Sequence, residues 1–158
     1  MSAEGRPDET PVDGRGLTVA VVHGTWHPRI AEGLLAGARR ALAEAGATVV
    51  EYPVPGSFEL PVVAQAALEA GADAAVALGV IIRGGTPHFE YVSSAATQGL
   101  TEAALRTGRP VGFGVLTLDD EQQGLDRAGL PGSKEDKGAE AALAALRTAL
   151  VLRQVRAR

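Results

Sequence analysis

Cysteine is absent from the 158 residues, which excludes disulfides, thiolate chemistry and cysteine-ligated zinc. Aromatic residues are few: one tryptophan, two tyrosines and three phenylalanines. Trp26, Phe58, Phe89 and Phe113 therefore stand out. No apolar stretch is long and unbroken enough to span a bilayer, and the N-terminus lacks the basic-then-apolar order of a signal peptide. The expectation is a cytoplasmic soluble protein with no membrane partner. Net charge is −4 with no basic block, so no electrostatic footprint for nucleic acid exists. Three motifs are missing as well. There is no G-x-x-x-x-G-K-[ST] phosphate loop and no G-x-G-x-x-G after the first strand. Ser57 stands in P-G-S-F-E, which is not a nucleophile elbow.

What is present suits one domain, large enough to bury most of its apolar surface. Met1–Gly16 is polar and rich in Gly, Pro, Asp and Glu. It reads as a disordered tail, leaving residues 17–158 as the domain. Leu17–His23 is a β-rich run. From Ile30, apolar residues recur at helical spacing through Ala45, and Gly46 closes that helix. Thr48–Tyr52 is the second strand, and Pro53–Gly56 a rigid turn. Ser57 is placed to cap a helix beginning near Glu59 or Pro61 and ending at Gly71. Ala74–Ile82 is the third and most buried strand, and Phe89–Thr107 a long helix stopped by Gly108 and Pro110. Val111–Leu116 is the fourth strand. Thr117 or Asp119 then caps a helix that includes Arg127 and ends at Gly129. Leu130–Asp136 is a connector, and Gly138–Arg156 the last helix. Strands alternating with helices imply a parallel sheet covered on both faces. The predicted form is an α/β fold: a three-layer α/β/α sandwich, flavodoxin-like, with a four-stranded parallel sheet. Ligands bind such sheets beyond the carboxyl ends of the strands. Here those ends carry Trp26, Gly56–Glu59, Ile81–His88 and Thr117.

The stretch Leu78–Val92, LGVIIRGGTPHFEYV, organises the chain. An apolar run turns at Arg83-Gly84-Gly85-Thr86-Pro87, presents His88, and resumes as a helix. The glycines let backbone N–H groups approach a ligand, and a helix N-terminus favours an anion there. A structural turn needs the glycines but has no need of Arg83 and His88. His88 suits a proton shuttle, or it merely caps the helix. His23 and His27 are four apart, but Gly24 and Pro28 argue against the helix that metal ligation at that spacing requires, so no metal site is expected. Glu59 either accepts hydrogen bonds from a polyol or favours a helix N-terminus. Trp26 and Phe113 both follow or end strands. Each can stack on a flat heterocycle or fill a core, and packing is the stronger reading for Phe113. Arg127 can reach a phosphate or lie on a solvated face, and Lys134 and Lys137 are ordinary without further context.

Five segments together resemble the lumazine synthase family: PGSFELP at 55–61, GVIIRGGTPHFEYV at 79–92, GVLT at 114–117, DRAG at 126–129 and DKGAEAA at 136–142. The likeness runs from about Leu17 to Arg156, and Trp26 with the EDKG connector looks like the actinobacterial branch. The resemblance implies a condensation of 5-amino-6-(D-ribitylamino)uracil with 3,4-dihydroxy-2-butanone 4-phosphate, with no metal or organic cofactor. It implies that Trp26 stacks on the pyrimidine. Ser57, Phe58 and Glu59 hold the pyrimidine and its ribityl chain, and Val80, Ile81 and Ile82 lie along the ring. Gly85 and Thr86 receive the phosphate, and His88 carries protons. Phe113 closes the pocket from a neighbouring subunit, and Arg127 of that neighbour binds the phosphate. Lys137 matches a lysine near the site. Position 85 is Gly where other members often carry Glu, Gln or Ala, and position 90 is Glu where Asp is common.

The family also implies a homo-oligomer. Pro131 and Gly132 lengthen and redirect the connector Leu130–Asp136, which favours an isolated pentamer over an icosahedral 60-mer. The alternatives are a non-catalytic paralogue that binds lumazine or flavin, a shell protein of the same fold, and a flavodoxin-like electron carrier.

Overall fold

β1 (Thr18–Gly24), β2 (Thr48–Val54), β3 (Ala74–Ile82) and β4 (Val111–Leu118) form one all-parallel sheet in the order β2-β1-β3-β4. The computed structural model describes residues 4–7 and 10–158. Of the stretch read as a tail, Met1–Ala3, Asp8 and Glu9 lie outside the described residues. In its described part, Val12 packs against the larger core. The Gly14 N–H donates to the Ala45 carbonyl at 2.7 Å, and Arg147 donates to the Thr10 carbonyl at 2.8 Å.

β3 lies between β1 and β4, and all but its last residue is buried. A strand covered on both faces must be apolar on both, which is why AAVALGVII shows no alternation with polar residues. Its side chains divide between two cores. Ala74, Val76, Leu78 and Val80 join the cluster under α1 (Pro28–Ala45) and α5 (Lys137–Arg156). Ala75, Ala77 and Ile81 join the cluster under α2 (Leu60–Glu69) and α3 (His88–Thr107). These are the three expected layers. Leu17, Val19, Val21, Val22, Leu34, Leu42, Leu68 and Leu146 are almost wholly excluded from water, each worth about 1.5–3 kcal/mol of burial. Among the described residues no helix is long and apolar enough to cross a membrane.

Several details differ from the sequence-based expectation, among them β2, which runs through Pro53 to Val54. Ser57 caps nothing: Ser57–Glu59 is a 3-10 turn leading into α2, with no side-chain cap. β4 runs on to Leu118 because it stays paired with β3 as far as Ile82. Neither Thr117 nor Asp119 therefore caps the next helix. α4 (Glu121–Leu125) is capped by Asp120, whose carboxylate accepts from the Gln123 N–H. It ends before Arg127, which sits in the following turn. Asp136 caps α5 in the same way, accepting from the Ala139 N–H at 3.0 Å.

Candidate active site

The carboxyl ends of β1, β2 and β3 open into one cavity of about 640 Å³. The sheet order reverses direction between β1 and β3, and a crevice at such a point is where open α/β sheets bind ligands. Trp26 and His27 enter from the β1–α1 loop, Gly56–Glu59 from the 3-10 turn, and Val80–Ile82 from the end of β3. Gly84, Thr86, His88, Phe89, Tyr91 and Val92 complete the wall.

Two glycines allow these segments to meet. A Cβ on Gly56 would lie 3.0 Å from Trp26 Cδ1, so the indole rests on bare backbone. A Cβ on Gly79 would lie 2.4 Å from Ser57 Oγ, so the turn presses directly on β3. Ser57 Oγ is buried and has no hydrogen-bond partner among the described residues, a group suited to a ligand's polar atom. Trp26 is 66 % exposed, which decides against core packing and leaves its face open to the cavity. Phe58 is exposed as well.

The loop after β3 is open on all sides. Gly84 and Gly85 have no atom within 4 Å of where a Cβ would stand. Thr86 and His88 are exposed, with the His88 N–H 3.4 Å from Thr86 Oγ1. His88 is the first residue of α3, so its backbone N–H belongs to the set at a helix start that has no intrahelical acceptor. Gly85 lies between two lining residues without lining the cavity itself. His27, Phe89, Tyr91 and Val92 also line the cavity, beyond the residues that the sequence assigns to the site. Tyr91 and Val92 follow His88 by three and four residues on a helix, a spacing that puts all three on one face. His27 lines the wall beside Trp26. It holds a left-handed backbone (φ 55°) at the start of α1, and its ring stands 6.4 Å from the indole of Trp26.

Phe113, Arg127 and Lys137 are elsewhere. Phe113 neither follows nor ends a strand: it is the third residue of β4, paired with Ala77. Its ring is 48 % exposed and lines a second cavity of about 370 Å³ with Leu100, Ala104 and Leu105 of α3. Arg127 and Lys137 emerge side by side. The connector folds back so that Ala128 and Asp136 form an antiparallel bridge, and the Lys137 N–H donates to the Arg127 carbonyl at 2.9 Å. Arg127 Nη1 donates to the Gln123 carbonyl at 2.8 Å. Lys137 Nζ lies 2.7 Å from Glu135 and 2.9 Å from Glu140. Burial pulls the Lys137 ammonium down, but the two carboxylates outweigh it and leave it above its ordinary value. Hydrogen bonding to Lys137 holds the Glu135 carboxyl below its ordinary value. Glu135 and Glu140 carried no signal in the sequence, because their role depends on the bridge.

The family model described as 6,7-dimethyl-8-ribityllumazine synthase matches residues 16–153. The chain is similar to proteins of that name from three organisms. It is 71% identical over 158 residues to one from Clavibacter michiganensis subsp. michiganensis and 72% identical over 158 residues to one from Clavibacter sepedonicus. It is 70% identical over 157 residues to one from Leifsonia xyli subsp. xyli. In each case 99% of both chains is covered. The chain belongs to the 6,7-dimethyl-8-ribityllumazine synthase family.

Proposed function

We propose that the chain is a lumazine synthase of riboflavin biosynthesis whose active site is shared between neighbouring copies. It condenses 5-amino-6-(D-ribitylamino)uracil with 3,4-dihydroxy-2-butanone 4-phosphate. One observation carries the shared site: no lysine or arginine is among the described residues that line the main cavity, and Glu59 is its carboxylate. A phosphorylated substrate held there needs a cation from outside. The paired Arg127 and Lys137, and the exposed ring of Phe113 beside an apolar groove, are what a second copy has to offer. A heterologous contact of this kind closes into a ring when its rotation allows, and the reading is a pentamer working in the cytoplasm.

The pyrimidine stacks on Trp26 and runs along Val80–Ile82. The ribityl hydroxyls meet Ser57, the Phe58 backbone and Glu59. The amine attacks the ketone carbon, and water leaves as the imine forms. Loss of the C3 proton then expels phosphate from C4, two carbons from the imine, and the enol left behind becomes a ketone at C3. The ribityl-bearing nitrogen closes the second ring, and a second water is lost. Holding both substrates in order is most of the catalytic task. His88, at the cavity mouth, moves protons between the steps. The N–H groups from Gly85 through the first turn of α3 take the phosphate oxygens, and the neighbour's Arg127 neutralises their charge.

Mixing the protein with both substrates and following lumazine absorbance tests the activity. Product formation is the expected result. Binding of lumazine or flavin without turnover would point instead to a non-catalytic paralogue. Light scattering in dilute buffer tests assembly. The lengthened connector, exposed at Pro131 and Gly132, leads us to expect a ring-sized species, and a shell-sized one would overturn that reading of the connector.

A further inference from the structure

Arg83 is the one arginine of the central stretch, the proposed reaction gives it no task, and its surroundings supply one. It is the last residue before the glycine loop, and Phe89 is the second residue of the helix that follows it. The Arg83 guanidinium carbon lies 4.4 Å above the Phe89 ring. Nε of the same group donates to Asp119 Oδ1 at 3.1 Å, just past the end of β4. The backbone N–H of Arg83 donates to the Leu118 carbonyl at 2.8 Å, extending the ladder between β3 and β4 by one residue. One side chain thus joins both ends of the loop to each other and to the neighbouring strand.

The loop has little else to hold it. Its glycines touch nothing where a Cβ would stand, residues 84–88 are all exposed, and its internal bond to Thr86 is long at 3.4 Å. Yet N–H groups that receive an anion must be fixed before it arrives, because a displacement of about 1 Å at a positioned group is costly. We propose that Arg83 is a positioning residue: a clasp, closed on Phe89 and Asp119, that sets the Gly84–Thr86 N–H groups and the start of α3 at the spacing a phosphate requires. This rests on reading that loop as the phosphate cradle. Arginine suits the task because its planar fork can stack on an aromatic face and donate in-plane to a carboxylate at once, which a lysine cannot do.

The test is steady-state kinetics of the assembled enzyme with both substrates, with inorganic phosphate as a competitive inhibitor. Arg83→Met should raise the KM for the butanone phosphate, and weaken inhibition by inorganic phosphate, by about three- to tenfold. The KM for the pyrimidine should stay within about twofold. Arg83→Lys should fall between, and Asp119→Asn should shift phosphate in the same direction by less. If Arg83→Met does not fold, the lysine and asparagine variants carry the test. Equal changes for both substrates, or a loss of thermal stability alone, would overturn the clasp. Tighter phosphate binding in Asp119→Asn would also overturn it, because a guanidinium released from its carboxylate would then be a direct ligand. Gly85→Pro, which removes one cradle N–H, separates the two readings. If it leaves phosphate inhibition unchanged, the cradle is wrong. If it weakens inhibition while Arg83→Met does not, only the clasp is wrong.

Discussion

The two regions that bear the proposed functional residues are built in opposite ways. The first, at the carboxyl ends of β1, β2 and β3, has a cavity, aromatic faces, a histidine and a helix start, but no lysine or arginine on its described walls. The second has two cations locked side by side by a backbone bridge and an exposed phenylalanine on β4, and neither cation is among the described residues lining the cavity beside that phenylalanine. The first arises from strand ends, which any parallel sheet aligns. The second arises from a connector folding back on itself. On the proposed function neither region alone brings a cation next to the aromatic faces that a heterocycle would use. On the proposed function, the difference teaches that a fold can carry two incomplete sites whose shortages match, with assembly supplying the missing half of each.

The largest expected effect breaks the second region only. Arg127→Ala should raise the KM for the butanone phosphate by about tenfold to a hundredfold, the worth of a charge-assisted pair at about 1.5–3 kcal/mol. The KM for the pyrimidine should barely move. Equal losses for both substrates would make Arg127 structural and remove the division between the regions.

Breaking the first region should look different. His88→Ala should lower the maximal rate by about tenfold, the low end for general acid–base catalysis, with little change in either KM. An unchanged rate would take His88 out of the chemistry.

A smaller effect tests how the second region is held. Lys137→Met leaves Glu135 and Glu140 without their shared cation and should cost about 1–2 kcal/mol in urea denaturation. The sign of its pH dependence follows from Glu135. Lys137 holds that carboxyl below its ordinary value of 4.5. The stabilisation is therefore present above 4.5 and lost as pH falls through the folded-state value. In Lys137→Met this acid-side loss should flatten, and a slope as steep as in the parent would contradict the pairing.

The smallest effect lies outside both regions. Burial lowers the His23 imidazole below its ordinary value of 6.5, with Glu51 opposing and Arg39 assisting. The unfolded chain then takes up the proton first. Stability should be level above 6.5 and decline as pH drops through it. His23→Gln should remove that decline and leave the kinetics alone. A change in substrate affinity would mean that the cavity reaches further than its lining residues.

How far the chain's pattern reveals each region follows from the same contrast. β3 is an unbroken apolar run closed by Arg-Gly-Gly-Thr-Pro, so its burial, its end and the helix after it could all be read locally. Trp26, the Gly56–Glu59 turn and His88 then had to share an edge, because parallel strands place their carboxyl ends together. The second region hides its logic. Nothing in Gln122–Gly129 says that the helix stops at Leu125, since what ends it is pairing with residues six to ten positions on. Phe113 is the third residue of β4 whether that strand is read as ending at Leu116 or at Leu118, so its place near the strand's start is legible in the sequence, whereas the groove on α3 that it borders is not. The buried carboxylates around Lys137 and the Phe89–Arg83–Asp119 contact are products of tertiary approach, and no spacing announces them.

The shared site is the central claim, and mixed assemblies test it most directly. One variant carries Trp26→Ala with His88→Ala, damaging the first region. The other carries Phe113→Ala with Arg127→Ala, damaging the second. Each alone should be nearly inactive. Unfolded together in equal amounts and refolded, they should recover about a quarter of the parent rate, because that share of sites draws an intact half from each kind of chain. Activity no greater than the mean of the two separate variants would contradict the account, since every site would then lie within a single copy.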